Sequence, residues 1–399
     1  MNKTINPFIV SGKIEPEYFC DRVDESARLI KSLINGNNLV LISPRRMGKT
    51  GLIHYCYDRE PIYGNYHTIF IDILHTTSLR EFTFLFGKSV FEAILPLGQK
   101  MLTSFVHTLK SLSGKFSIDL VTNMPTFNLE LGDITRPALT LEEIFTYLEN
   151  ADKPCIVAFD EFQQIANYPE RNIEALLRTH VQQASNTHFI FAGSEYHIMQ
   201  EMFMSSAKPF YNSADTLELK AIGLEVYAQF VIEHMNNGKR SISKDLVKAV
   251  YRLYKGNTYA MQKTFNELYS IMVEGDQATF DMVIMAINNV IDSKEPMFRE
   301  QLSNIPDKHK PLLYAIAQEG EAERITSAKF VKDHKLPSAS AVQFATSQLL
   351  ARGVITKLAG TYSVNDPFFC TMDQQVIWYE IAPAATLKLN KSDFIEILL

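Results

Sequence analysis

Apolar residues follow two rhythms along the first 215 positions. Short unbroken runs occur at Leu39-Val40-Leu41-Ile42, at Ile69-Phe70-Ile71 with Ile73, at 155–159 and at 188–192. Such runs predict strands buried on both faces. Longer stretches between them have helical spacing. One follows Thr50, with Leu52, Ile53 and Tyr55-Cys56 on its apolar side; others cover 78–112, broken near Pro96, and 172–184. A helix is also expected over 140–150, with Thr140 as N-cap and Glu143 completing a capping box. Strands alternating with helices predict a parallel α/β sheet with right-handed crossovers. One segment departs from this rhythm. Phe116-Ile118-Leu120 and Phe127-Leu129-Leu131 alternate with polar residues about Thr122-Asn123-Met124-Pro125, the period-2 pattern of a β-hairpin.

From about residue 216 the strands are expected to stop. Residues 222–292 carry four helical patterns, separated by Asn236-Asn237-Gly238, Gly256-Asn257 and Gly275-Asp276. Helices at 309–318, 326–334 and 338–352 then precede Gly353-Val354-Ile355-Thr356 and Gly360-Thr361-Tyr362-Ser363-Val364. Three helices followed by a two-stranded hairpin is a winged-helix pattern. The expected organisation is therefore a core over 1–215 with a hairpin insertion at about 114–133, a helical lid over 216–300, a winged helix over 301–385 and a tail over 386–399.

Composition narrows the classes. The 399 residues are 46% hydrophobic and 21% charged, as in ordinary globular proteins. The net charge of −6 leaves any nucleic-acid contact to a local patch. Cys20, Cys56, Cys155 and Cys370 are scattered, which argues against a zinc site or a disulfide framework. No run approaches 18 apolar residues, and 1–10 does not read as a signal peptide, so a cytoplasmic protein without a membrane span is expected.

The chemistry begins at the end of the first strand, with Ser43-Pro44-Arg45-Arg46-Met47-Gly48-Lys49-Thr50 followed by Gly51. This is the G-x-x-x-x-G-K-[ST] phosphate loop with serine in place of the first glycine. Backbone N–H groups and the N-terminus of the next helix favour phosphate. Gly48 lets the chain approach the phosphates closely. Lys49 is expected on the β- and γ-phosphates, and Thr50 on magnesium. Arg45 and Arg46 raise the local potential, with one expected at the nucleotide and the other paired to an acid such as Asp160 or Glu161.

The strand at 155–159 runs into Asp160-Glu161, two carboxylates that fit the Walker B role. Asp160 is expected to hold magnesium through water and Glu161 to act as general base on the attacking water. Ser194, after the strand at 188–192, suits a sensor of the γ-phosphate, although a strand-to-turn serine would look the same. Glu195 either assists it or is solvated. Arg178 and Lys208 are candidate cations for transition-state charge, in cis or from a second copy in a homo-oligomer; surface charge is the competing reading. Cys20-Asp21-Arg22 with Phe19 could pack against adenine, or Asp21 could cap the first helix.

Together these residues resemble the archaeal-type ATPases of the STAND branch of the AAA+ superclass. The resemblance rests on Phe19-Cys20-Asp21-Arg22, Pro44-Arg45-Arg46-Met47-Gly48-Lys49-Thr50, Phe159-Asp160-Glu161-Phe162-Gln163, Ala192-Gly193-Ser194 and Lys208-Pro209-Phe210-Tyr211. It covers roughly 8–300. It implies a P-loop NTPase fold, with an AAA+-like parallel sheet of RecA-like order, a helical lid and a C-terminal winged helix. It also implies ATP and Mg2+ as ligands. Lys49 takes the phosphate-loop lysine role, Thr50 and Asp160 the magnesium roles, and Glu161 that of the catalytic acid. The lid segment Gly256-Asn257-Thr258-Tyr259 with Gln262 lacks the arginine that many AAA+ lids use, which points to a switch more than a motor.

The leading expectation is a slow Mg-dependent ATPase acting as a nucleotide-driven switch. The alternatives are an ATP-regulated DNA-binding protein, regulatory or defensive, that uses its winged helix, and an ATP-binding scaffold without turnover. DNA is not supported by charge, since residues 301–399 carry ten Lys+Arg against ten Asp+Glu. A protein partner at the winged helix or at the hairpin insertion fits at least as well.

Overall fold

The computed structural model describes residues 6–12, 14–94, 99–118, 125–127, 130–358 and 360–369. The chain divides into two compact units. A sheet unit comprises Arg22–Pro44 and Lys49–Lys220, and a helical unit comprises Met1–Asp21, Arg45–Gly48 and Ala221–Leu399.

In the sheet unit, five strands form one parallel sheet: β1 (Leu39–Ile42), β2 (His67–Asp72), β5 (Cys155–Asp160), β6 (Thr187–Gly193) and β7 (Asp215–Glu218), in the order β2-β5-β6-β1-β7. Every residue of β1 and β5 is buried, which is why both read as continuous apolar runs. The expected parallel α/β sheet is thus present. Strand β7 departs from the expectation that strands stop near 216. It lies at the edge of the sheet beside β1 and buries only Leu217, so Asp215-Thr216-Leu217-Glu218 has no apolar run to betray it.

The helices of this unit are α1 (Val23–Ile34), α2 (Lys49–Tyr57), α3 (Leu79–Ile94), α4 (Gln99–Thr108), α5 (Pro137–Glu149), α6 (Ile173–Gln183) and α7 (Tyr196–Met204). Helix α5 corrects the expected N-cap. It starts three residues before Thr140, with Arg136 at the cap and Pro137 in the first turn. Proline fits that turn because its N–H would be unpaired there in any case. Thr140 is instead buried inside the helix, bonded to Arg136 O and Ser111 Oγ, and Glu143 accepts the Ser111 N–H. The inserted hairpin pairs β3 (Phe116–Ile118) with β4 (Pro125–Phe127), with Phe116 opposite Phe127; Leu120, Thr122 to Met124 and Leu129 lie outside the described residues.

The core of the sheet unit is dense in phenylalanine. Phe159 on β5 and Phe162 just after it are both almost fully buried, with ring centroids 6.0 Å apart. Phe82 and Phe86 pack on Phe159, while Phe191, Phe203 and Phe210 pack on Phe162. Each buried ring stabilises by roughly 1.5–3 kcal/mol. Those two rings clamp the segment between them, and that segment is Asp160-Glu161.

In the helical unit, α8 (Leu224–Asn237), α9 (Lys244–Leu253), α10 (Thr258–Ile271) and α11 (Phe280–Ser303) are followed by α12 (Lys310–Glu319), α13 (Ala328–Asp333) and α14 (Ala339–Ala351), then by the antiparallel pair β8 (Ile355–Leu358) and β9 (Thr361–Val364). Ser243, Asn257, Thr279, Ser327 and Ser338 each cap the helix that follows them through the side chain. One apolar core runs from Phe8 through Tyr227 and Phe265 to Phe368 and Phe369, so the four helices and the winged helix share it. Helix α11 spans both parts, continuing past Pro296 to place Phe298 against Phe369 at 5.3 Å. The N-terminal segment docks on α10, where Asn6 Nδ2 donates to Asn266 O and Asn266 Nδ2 donates to Phe8 O, each at 2.8 Å. Residues 370–399, with Cys370, the whole of the expected tail and the end of the expected winged helix, lie outside the described residues.

Candidate active site

Sheet register places three chain segments at one edge. Ile42 pairs with Gly193 and Phe159 with Phe191, so the carboxyl ends of β1, β5 and β6 lie side by side. The chain leaves β1 for β2 on one side, and β7 lies on the other, which makes this edge a switch point where ligands bind in open parallel sheets.

The phosphate loop starts from this edge. Ser43 N–H donates to Gly193 O at 3.2 Å, so Ser43 prolongs the β1–β6 ladder by one residue. It is fully buried, and its hydroxyl donates to Pro44 O. Ser43 is not among the residues with positive φ, so the missing first glycine carries no conformational cost. Gly48 differs. Its φ is +92°, and among the described residues a Cβ there would meet nothing within 4 Å, so torsion rather than space requires glycine. Met47 is buried, Arg45 is exposed, and Lys49, Thr50 and Gly51 begin α2.

Lys49 and Thr50 meet the two acids. Thr50 Oγ1 donates to Asp160 Oδ2 at 2.6 Å, and Lys49 Nζ lies 3.8 Å from Glu161 Oε1. Lys49 and Asp160 are 6% and 5% exposed, so this ion-pair cluster is shielded from screening by salt. Burial pushes the Asp160 carboxyl above its ordinary range. The Thr50 hydroxyl and the Lys49 ammonium pull against that shift, and the neighbouring Glu161 adds to it. Glu161 turns the chain in the left-handed region at φ +56°, and its N–H donates to Asp160 Oδ1 at 3.0 Å. That turn sends the two carboxylates to different partners.

Glu161 Oε2 accepts from Ser194 Oγ and from Gln163 Nε2, each at 2.5 Å. Gln163 Oε1 in turn accepts the Ser194 N–H at 3.3 Å. Gln163 is 1% exposed and Ser194 7%. Gly193, just before Ser194, leaves the space this requires, because a Cβ there would fall 2.7 Å from Gln163 Oε1. The structure thus joins Lys49, Thr50, Asp160, Glu161 and Ser194 in one network. Gln163 belongs to it as well, although in the sequence it stands out only as part of the Phe159-Asp160-Glu161-Phe162-Gln163 motif. The available signal was a polar residue between Phe162 and Ile165, two positions after the acids.

The remaining expected residues lie apart from this network. Lys208 pairs with Glu174 at 3.1 Å and Glu201 at 3.5 Å. Arg178 sits on α6, one turn after Glu174, and its Nε is buried without a hydrogen-bond partner among the described residues. Glu195 is exposed. Arg22, rather than Asp21, occupies the cap position of α1; its guanidinium is buried against Glu25 and the Lys220 carbonyl. Cys20 is buried in the core of the helical unit. Arg46, φ +67°, does not take Asp160 or Glu161 as its acid. Within the helical unit its Nη1 bonds Asp366 Oδ2 at 2.6 Å, an oxygen that Lys294 also bonds at 2.7 Å, and its guanidinium covers the Tyr259 ring. The reason is that Asp366 is more than 300 residues away in sequence, and no local pattern announces it.

Residues 19–264 match the family described as "ATPase domain predominantly from Archaea", and residues 296–372 match "Probable winged helix domain". The first match covers more than half of the chain, and the chain belongs to that ATPase family. Among solved structures, the chain is similar to the Walker-type ATPase PABY2304 of Pyrococcus abyssi, with 19% identity, a TM-score of 0.63, and 92% of this chain and 99% of that one covered. It is also similar to the Aeropyrum pernix ORC2 protein, with 12% identity, a TM-score of 0.55, and 95% and 98% covered. The Aeropyrum pernix ORC1 protein in complex with DNA follows, with 12% identity, a TM-score of 0.51, and 94% and 97% covered. At these identities the likeness establishes the fold, a P-loop NTPase sheet accompanied by a winged helix. No curated protein matches the chain in sequence. Membership of the family makes the chain a nucleotide-binding ATPase. Among the described residues no helix is long and apolar enough to cross a membrane.

Proposed function

We propose that this ATPase is a slow, magnesium-dependent enzyme that acts as a STAND-like nucleotide-driven switch. The observation that carries the reading is the paired arrangement Lys49–Glu161 and Thr50–Asp160, which sets a lysine, a hydroxyl and two acids at the mouth of a phosphate loop. The donor set fits magnesium. Thr50 Oγ1 and Asp160 Oδ2 are hard oxygen ligands already in contact, and Asp160 is a buried acid that lacks a full countercharge. Magnesium usually takes one or two protein oxygens and completes its shell with phosphate and water. When bound, it would neutralise phosphate charge between Thr50 and Asp160.

The chain's own residues supply the rest. Backbone N–H groups of the loop and the start of α2 hold the phosphates. Lys49 leaves Glu161 for the terminal phosphate, and Glu161 accepts the proton of the attacking water as the bond between the β- and γ-phosphates breaks. Slow turnover is supported by the state of Glu161, which holds the Ser194 hydroxyl and the Lys49 ammonium and must release both before it takes a proton from water. The switch reading is supported by Gln262, buried in the lid segment where many AAA+ proteins carry an arginine. Roles for Arg178 in charge stabilisation and for Cys20-Asp21-Arg22 near adenine remain part of this proposal.

For the winged helix, a protein partner is favoured over DNA. The exposed face of α14 carries Ser340, Gln343 and Ser347 around Phe344, which is 55% exposed. A groove-reading helix would carry cations there.

ATP titration and phosphate release on two variants test the core reading. Lys49→Ala should lose ATP binding, and Glu161→Gln should bind ATP and lose turnover. Binding by Lys49→Ala equal to that of the parent, or hydrolysis by Glu161→Gln equal to it, overturns the reading.

A further inference from the structure

Three groups around Glu161 are fixed to one another before any ligand arrives. Gln163 follows the Asp160-Glu161 pair on the 3-10 turn Phe162–Asn167, which is anchored in the phenylalanine core by Phe162 and Ile165. Its amide orientation is determined by its neighbours. The Ser194 backbone N–H can only donate, so it must face Gln163 Oε1, and Nε2 must then face the Glu161 carboxylate. Nε2 also lies 3.5 Å from Ser194 Oγ. The amide therefore bridges the ends of β5 and β6, and touches both the residue read as the base and the residue read as the phosphate sensor.

The bridge has a consequence for Ser194. Its hydroxyl has one proton, now given to Glu161 Oε2. If that proton turns to a terminal phosphate oxygen, Glu161 loses one of its two donors on Oε2. Nε2 of Gln163 keeps the other. A carboxylate retained by a buried donor stays in place while the sensor hydroxyl moves. Without the amide, the same event would strip Glu161 Oε2 of both its donors and leave the carboxylate free to rotate. The fit is tight, since Gly193 must lack a Cβ to admit Gln163 Oε1. A polar amide buried to this degree is stabilising only when its groups are satisfied, and here both ends are spent on the site.

We propose that Gln163 is a positioning residue of the ATPase reaction: its amide holds the Glu161 carboxylate in line while the Ser194 hydroxyl exchanges Glu161 for the terminal phosphate. This rests on the reading of Glu161 as the hydrolytic base.

The test uses the full chain with Gln163→Leu, Gln163→Glu, Ser194→Ala, the double variant Gln163→Leu/Ser194→Ala, and Glu161→Gln. Phosphate release yields kcat and KM, ATP titration yields Kd, and circular dichroism monitors folding. Gln163→Leu should lower kcat by about 10–100-fold, the scale of a misplaced base, and leave Kd and KM within about twofold. Gln163→Glu keeps an acceptor for the Ser194 N–H but loses the donor to Glu161, so its kcat should fall as well. The double variant should be no slower than the slower single variant, since both act through one carboxylate. The proposal is overturned if Gln163→Leu keeps parental kcat, if the two single losses multiply, if Kd weakens as much as kcat, or if both Gln163 variants fail to fold. A parent no faster than Glu161→Gln instead overturns the functional reading, and this proposal with it.

Discussion

Gly193→Ala adds one methyl group at the point where the site has no room. Gly193 ends β6 and has no positive φ, so alanine suits its backbone and only space opposes it. The added Cβ would lie 2.5 Å from both Met199 Cγ and Met199 Sδ, and 2.7 Å from Gln163 Oε1. Real Cβ contacts essentially never fall below 3.0 Å, so something must shift. Neither neighbour shifts cheaply. Met199 is 0% exposed in the core, and Gln163 is tied at both ends of its amide. Overpacking of this kind costs about 1–3 kcal/mol. Moving Gln163 Oε1 away also strands the buried Ser194 N–H, worth about a further 1 kcal/mol. A loss of about 2–4 kcal/mol is expected, and a unit of roughly 200 residues loses about 2–4 °C of Tm per kcal/mol. Thermal unfolding followed by circular dichroism should therefore show the sheet unit melting roughly 4–16 °C lower. Phosphate release should slow while ATP affinity holds, because the displaced amide serves Glu161 and not the phosphate loop. Gly132→Ala is the control: among the described residues its Cβ would meet nothing within 4 Å, and its φ is not positive, so it should stay within about 0.5 kcal/mol of the parent. A Gly193→Ala protein that melts with the parent and turns over at the parental rate would refute the packing argument.

Other outcomes follow from the same geometry. Asp160→Asn should keep nucleotide affinity in the absence of magnesium and lose about 10–100-fold of its gain when magnesium is added; an unchanged magnesium effect in ATP titrations removes Asp160 from the ion's shell. Asp366→Asn should destabilise the helical unit by about 3 kcal/mol at neutral pH, since it leaves the largely buried Lys294 without its acid. Burial pushes the Asp366 carboxyl up, but the bonds from Lys294 and Arg46 outweigh it and hold it below the ordinary range. Its contribution is therefore complete above the unfolded value of about 3.9 and is lost as pH falls through the depressed folded value. The gap between parent and variant in urea unfolding should close on acidification, and a gap that is constant with pH contradicts the ion pairing. A salt series with duplex DNA should show no affinity even at about 50 mM salt; binding that weakens steeply with added salt would put cations of the winged helix on phosphates.

Much of the sheet unit was legible because its strands are central. Residues 39–42 and 155–160 are buried on both faces, so hydrophobicity alone marks them, and the chemistry follows them directly in the chain. The capping error at Thr140 shows the limit of local signals. Pro137 is an equally good helix start, and only packing against Ser111 decides between them. Strand β7 leaves no such mark, because an edge strand needs just one buried side chain.

By itself the sequence determined which groups this protein brings to phosphate: Lys49 and Thr50 after a strand, and Asp160 and Glu161 at the end of another. Their roles depend on residue type and on neighbours within a few positions, and that information is local. Tertiary structure decided how those groups are held. Strand order put Gly193-Ser194 between the loop strand and the acid strand. That placement gave Gln163 two partners from different strands and required a glycine for space rather than for torsion. It also gave Arg46 an acid from the far end of the chain. Hydrogen bonds and ion pairs act over about 3 Å in space whatever the separation in sequence, so these partners became visible only once the chain was folded.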